Sequence, residues 1–133
     1  MSEIPNGLPA RRGLADWLLL GIAVEKTVQH LFITWAFATD RFDLREQVVV
    51  PWEPLLVSGG VVAVLFALAA GGAWGWRRWA PSLLVGLALF DIVGEFVAQG
   101  TLFIDVVVSF VVAVVLLPLA WRARGRYASA RGA

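Results

Sequence analysis

Four long apolar runs, about Leu14 to Thr39, Leu55 to Trp74, Pro81 to Ala98 and Leu102 to Trp121, fill most of the chain. Each is long enough for a tilted helix across a hydrocarbon core of about 30 Å. The pattern predicts an all-α fold: an integral membrane four-helix bundle forming a single four-span transmembrane domain over residues 1–133, which ends in a basic cytoplasmic tail over 122–133. Only Gln99, Gly100 and Thr101 separate the last two runs, which makes them an antiparallel hairpin. In the second run Gly59, Ala63, Ala67, Gly71 and Gly75 recur every fourth residue, a strip of small side chains that lets another backbone approach closely. A neighbour inside the bundle is the simpler partner for that strip, and a second copy in a homodimer is the alternative.

Polar residues interrupt the apolar pattern at a few places. The first run contains Glu25, Lys26, Gln29 and His30. On a helix Glu25 and Gln29 share one strip, while Lys26, His30 and Thr34 share another about 100° away. Asp91, Glu95 and Gln99 follow one another at four-residue spacing in the third run, and Asp105 and Ser109 do so in the fourth. Because the fourth run travels the other way, Asp105 and Ser109 are expected at a similar depth. The three helices are expected to line one cavity, closed on the inside and open to the outside.

Composition reinforces the membrane reading, since 59% of the residues are hydrophobic, against roughly 45–50% in soluble domains. Four spans of about 20 residues leave no room for a separate catalytic domain. The net charge of +1 becomes informative only when placed on the chain. Arg11 and Arg12 precede the first run, Arg77 and Arg78 join the second to the third, and Arg122, Arg124, Arg126 and Arg131 follow the fourth. All fall on one side, which predicts that both termini are cytoplasmic, in an inner or plasma membrane. The loop with Arg41 and Arg45 among Asp40, Asp43, Glu46 and Glu53 is then outside. Within it Val48, Val49, Val50 and Trp52 are too apolar for a free loop, so it is expected on the membrane surface or over the bundle mouth as a lid. The opening MSEIPNGLPARRG lacks a cleavage pattern, so the first run reads as a retained signal anchor. Disorder is expected from Gly125 onward. The tryptophans Trp17, Trp35, Trp52, Trp74, Trp76, Trp79 and Trp121 lie near run ends, as an interfacial aromatic belt requires. A sharper reading would make some of them a cage for a cationic ligand.

The candidate chemistry lies in the polar interruptions. A central Asp or Lys costs about 2.5–3.5 kcal/mol on insertion scales, so such groups seldom persist without a partner or a role. Glu25, Asp91, Glu95 and Asp105 face only Lys26 and His30. Full ionisation would leave uncompensated negative charge in a poor dielectric, and at least one carboxyl in this zone is therefore expected to keep an exchangeable proton, unless water or a cation screens the group. Glu25, His30, Asp91 and Glu95 are the candidate catalytic residues, with Lys26, Gln29, Gln99, Asp105 and Ser109 as candidate substrate contacts. The plainer reading has Lys26 paired with Asp91 or Glu95 and His30 bonded to Glu25, fixing only how the helices dock. A single histidine, with no HExxH or Glu-x-x-His pair, gives weak support to a metal, and neither metal nor cofactor is expected. The absence of cysteine removes thiolate and disulfide chemistry. Nucleotide motifs are lacking, and nucleic acid is not an expected partner.

The stretch GIAVEK, Gly21 to Lys26, looks like the small multidrug-resistance transporters, in which one such glutamate binds protons and cationic drugs in turn. The chain departs from them in its strong charge asymmetry and its third-run ladder of acids. The set Glu25, His30, Asp91 and Glu95 also looks like the layout of membrane sterol isomerases and small membrane terpene cyclases, which protonate an alkene or epoxide within the bilayer. The favoured expectation is an enzyme acting on a lipophilic small molecule by isomerisation, cyclisation or epoxide opening. The alternatives are a proton-coupled transporter of a small molecule or cation acting as an oligomer, and an accessory subunit of a larger membrane complex.

Overall fold

The computed structural model describes residues 11–99 and 107–130. Among them every regular element is helical: α1 (Leu14–Ala38), a 3-10 turn (Arg41–Asp43), a short α2 (Leu44–Gln47), α3 (Trp52–Trp74), α4 (Trp79–Gln99) and α5 (Val107–Ser129). Two of these, α3 and α4 as far as Ala98, are long and apolar enough to cross a membrane.

Capping and proline placement account for the helix limits. Extended Gly13 precedes α1, and its N–H donates to Asp16 Oδ2 at 3.0 Å, which uses one orphan donor and sets an acid in the first turn, where the helix dipole favours it. The other end of α1 closes at Thr39, whose N–H and hydroxyl both reach Trp35 O, at 3.0 and 2.8 Å. Pro51 leads into α3, and Pro54 and Pro81 fall in the first turns of α3 and α4, where a missing N–H costs nothing. The turn between α3 and α4 is tight enough that a Cβ at Gly72 would come within 2.6 Å of the Trp79 ring.

The long helices close into a four-cornered bundle. Helix α1 packs most extensively on α3, and α4 on α5, with lesser α3–α4 and α1–α5 contacts completing the circuit. That order places α1 and α4 at opposite corners. The core between them is built from Leu19, Ala23, Phe66, Ala69, Leu84, Ala88, Leu116 and Ala120, all wholly buried. Its many alanines let the helix backbones come close. Leucines, valines and aromatics cover the outward faces, among them Val28, Leu31, Val61, Val64, Leu68, Phe90, Val93 and Val111, each about half exposed.

The small-residue strip of α3 divides between two surroundings. Ala63 is buried, and a Cβ at Gly59 would stand 2.9 Å from Thr34 Oγ1 of α1, so this part serves packing inside the bundle. Ala67 and Gly71 are exposed.

One sequence expectation changes. Disorder does not begin at Gly125, because α5 continues past the fourth apolar run to Ser129. Ala113, Leu116, Ala120, Ala123 and Tyr127 recur at three- and four-residue steps on its buried face. Tyr127 donates to Ala73 O at 3.2 Å and packs on Trp76, giving the last turns their own core. The Gly100–Thr101 part of the expected hairpin link and the start of the fourth run lie outside the described residues.

The segment between α1 and α3 folds across the end of the bundle. Arg45 donates to Phe37 O and sits 3.8 Å over the Trp52 ring, while the Val49 N–H donates to Ala98 O at 3.1 Å. It thereby ties the end of α1 to the end of α4, in keeping with the lid alternative. Asp40, Phe42 and Asp43 all take positive φ, so the loop carries backbone strain that the flanking contacts must hold.

Candidate functional site

Near the middle of the bundle, α1 points Lys26 and His30 across the core toward Asp91 of α4. Lys26 is wholly buried. Its ammonium lies 3.0 Å from Asp91 Oδ2 and donates to both the carbonyl and the hydroxyl oxygen of Ser109 on α5, each at 3.0 Å. Two hydrogen bonds and an adjacent counter-charge thus surround the ammonium, conditions under which a charged lysine tolerates complete burial. The contact with Oδ2 is an ion pair whose angle is poor for a hydrogen bond, and charge attraction at this distance is its substance. The Ser109 carbonyl can serve because a helix C=O keeps a second lone pair.

His30 lies one helical turn further along α1. Its Nε2 is 2.9 Å from Asp91 Oδ1. An ionised carboxylate only accepts, so Nε2 carries the proton and Nδ1 the lone pair. The imidazole stacks on Phe66 of α3, with centroids 5.5 Å apart and planes at 19°. The His30 side chain keeps 18% of its surface accessible, against none for Lys26. One carboxylate therefore holds two bases, and through them the four long helices meet at one point.

The remaining candidates separate. Glu25 does not join the group: it is exposed on the outer surface of α1, because the 100° step from Lys26 turns it away from the core. His30 is consequently bonded to Asp91, and the expected His30–Glu25 pairing is not made. Glu95 is half-buried one turn beyond Asp91 and has interactions of its own. The amide oxygen of Gln29 and the hydroxyl of Thr34 are buried without a hydrogen-bond partner among the described residues. Ser109 serves as a partner of Lys26. The Gln99 side chain and all of Asp105 lie outside the described residues. With Glu25 turned away, one of the four acids in the charge count leaves the centre of the bundle, where Asp91 faces Lys26 and His30.

Two participants were not legible as such. Phe66 sits in an apolar stretch and offers no signal until α3 is docked on α1. Asp16, only 6% exposed, accepts from the Arg126 guanidinium at 2.9 Å at the end of the bundle where α1 begins. Its nearness to a helix start was readable, its partner 110 residues away was not. At that end the tryptophan cage considered for a ligand is filled by the chain itself, because the Arg12 guanidinium lies 4.5 Å from the Trp74 ring, 5.3 Å from Trp76 and 5.7 Å from Trp17. Arg12 also donates to Trp74 O.

Comparison with family models, with curated proteins and with solved structures finds no match. Chemically the cluster resembles a base oriented by a carboxylate whose own charge is balanced by a lysine. Such an arrangement can take up a proton at His30 Nδ1 and stabilise the imidazolium that results.

Proposed function

We propose that this is a small integral membrane protein whose His30–Asp91–Lys26 group works as an acid–base site on a lipophilic small molecule, by isomerisation, cyclisation or epoxide opening. The observation that carries the reading is the shared carboxylate, with Asp91 Oδ1 at 2.9 Å from His30 and Oδ2 at 3.0 Å from Lys26. Lys26 balances the charge of Asp91, Asp91 fixes the tautomer and plane of His30, and His30 exchanges the proton with substrate.

Several features favour a membrane setting. The outward faces are apolar on all four long helices. Arg12, Arg78 and Arg126 gather at the end where α1 starts and α5 finishes, which supports four spans with that end cytoplasmic. Toward that same end, Leu19, Ala23, Leu84, Leu87 and Leu116 close the bundle without a polar group. A site blocked on one side suits a bound substrate better than passage, so transport has less in its favour.

The accessory-subunit reading keeps one supporting observation. Glu25 faces outward at the depth of Lys26, a costly place for an acid in lipid unless a second protein or a second copy meets it. Glu25→Gln would then weaken assembly while sparing proton exchange.

Deuterium uptake tests the enzyme reading across a whole class of substrates at once. Purified protein in lipid nanodiscs is incubated in D2O with a panel of isoprenoid and sterol alkenes, and mass spectra are read for substrate deuteration. An acid–base isomerase adds a deuteron to one alkene carbon and removes a proton from a neighbouring one, so the recovered alkene gains label. His30→Ala and Asp91→Asn are expected to slow uptake by about 10² to 10⁴, the range for loss of a general acid or base. Uptake equal in wild type and variants across the panel would reject the enzyme reading.

A further inference from the structure

Five of the arginines at the α1-start end of the bundle fall into two sets. Arg12 is enclosed by tryptophans, and Arg126 is bonded to Asp16. Arg78, Arg122 and Arg124 are exposed, and none is paired with a carboxylate among the described residues. They surround two adjoining recesses on the outer α4–α5 face. One, of about 420 Å³, is lined by Arg78, Ser82, Trp121, Arg124, Gly125 and Ala128. The other, of about 400 Å³, is lined by Val85, Leu89, Leu117, Pro118, Trp121 and Arg122. No acid lines either recess.

The wall of the first recess is cationic and hydroxylated, that of the second is almost wholly apolar, and Trp121 is common to both. Arg124 lies 4.8 Å over the Trp121 ring, which holds its guanidinium at the junction. The order of residues gives the pair a direction. Leu89 and Leu117 lie further from the arginine end than Ser82 and Arg124, so the apolar groove runs from the charged recess toward the middle of the bundle. A charged head joined to a long apolar tail is the ligand such a surface complements.

We propose that the α4–α5 face binds one anionic phospholipid. Its phosphate is held by Arg78 and Arg124 with the Ser82 hydroxyl, and an acyl chain lies along Val85, Leu89, Leu117 and Pro118. Guanidinium forks suit phosphate oxygens geometrically, and basic recesses beside spanning helices on the cytoplasmic side attract anionic headgroups. Gly125 leaves room for the headgroup, since a Cβ there would meet nothing within 4 Å. This inference rests on the membrane reading above and is independent of the acid–base site.

Brominated lipids test it on the full chain. Nanodiscs are prepared from phosphatidylcholine with a minor fraction of phosphatidylglycerol, brominated in one lipid or the other, and quenching is measured as the difference between the protein with Trp121 and a Trp121→Phe variant. Brominated phosphatidylglycerol is expected to quench Trp121 several-fold more strongly than the same fraction of brominated phosphatidylcholine. Arg78→Gln with Arg124→Gln should abolish that preference, because the two interfacial charges are what supply it. Gly125→Leu keeps every charge, fills the recess and should remove the preference too, while circular dichroism verifies the helical fold. Equal quenching by the two lipids in inserted protein overturns the lipid site and leaves the membrane reading standing. Protein that never enters the nanodiscs overturns both. If millimolar inorganic phosphate abolishes the preference at constant ionic strength, the ligand is a soluble phosphate and the lipid assignment fails.

Discussion

Two ion pairs in this molecule have nearly the same length and very different surroundings. Arg126 meets Asp16 at 2.9 Å where α5 ends, with 43% of the arginine side chain open to solvent. Lys26 meets Asp91 at 3.0 Å with the lysine wholly enclosed. The rim pair is screened on its arginine side, and Arg126 can turn to water if Asp16 is lost. The central pair has no such exit, so each member depends on the other, and His30 depends on both. Similar geometry therefore makes a clasp in one place and a constrained charge system in the other.

Breaking the central group should have the largest effect. Asp91→Ala leaves Lys26 buried without a counter-charge and His30 without its acceptor, and it is expected to cost about 3–5 kcal/mol of stability, the range for orphaning one member of a buried pair. Thermal unfolding in detergent would show a large drop in midpoint or failure to accumulate folded protein. A midpoint within a degree or two of wild type would mean that water reaches the cluster. Lys26→Met should cost clearly less than Asp91→Ala, because Asp91 keeps His30 and the thioether chain fills much of the same volume. The reverse ranking would make Lys26, not Asp91, the hub.

The rim supplies the smaller effects. Arg126→Gln is expected to destabilise by about 1 kcal/mol, since the arginine is part-exposed and Asp16 keeps the Gly13 N–H, and to lose part of that in high salt. A loss as large as that of Asp91→Ala would erase the contrast between the two sites. Tyr127, in the turns of α5 beyond Trp121, gives a pH signature of this end. Burial pushes its phenol above the ordinary value, and the Asp16 carboxylate pushes it further the same way. The folded protein therefore holds the phenolic proton more tightly than the unfolded chain. The stabilisation is fully present below pH 10.0, the ordinary value, and is lost as pH rises through the folded-state value. Tyr127→Phe should flatten that alkaline limb, at a neutral-pH cost of about 1 kcal/mol for the bond to Ala73 O. An unchanged limb would assign it to other groups.

Orientation can be tested with single cysteines, because the chain has none of its own. With the arginine end cytoplasmic, a cysteine at Gln47 should react with an impermeant reagent in intact cells and one at Arg78 should not. Labelling only at Arg78 would invert the assignment and move the lipid recess to the outer leaflet.

Local pattern determined much of this protein. Long runs rich in apolar residues placed α1, α3 and α4 to within a few residues. Four-residue spacing put Lys26 and His30 on one strip and marked Asp91 as an exceptional residue in α4. Tertiary structure decided the rest. Which of the two strips on α1 faced inward depended on how α1 docked against α3 and α5, and that docking brought Lys26 to Asp91 and Ser109 while turning Glu25 outward. The end of α5 was decided the same way, because a basic stretch that reads as a solvated tail stays helical once Tyr127 and Ala123 have a surface to pack on. The pairing of Asp16 with Arg126 spans 110 residues. A helix specifies its own faces through spacing, but the choice among those faces belongs to packing between helices, and no local pattern carries it.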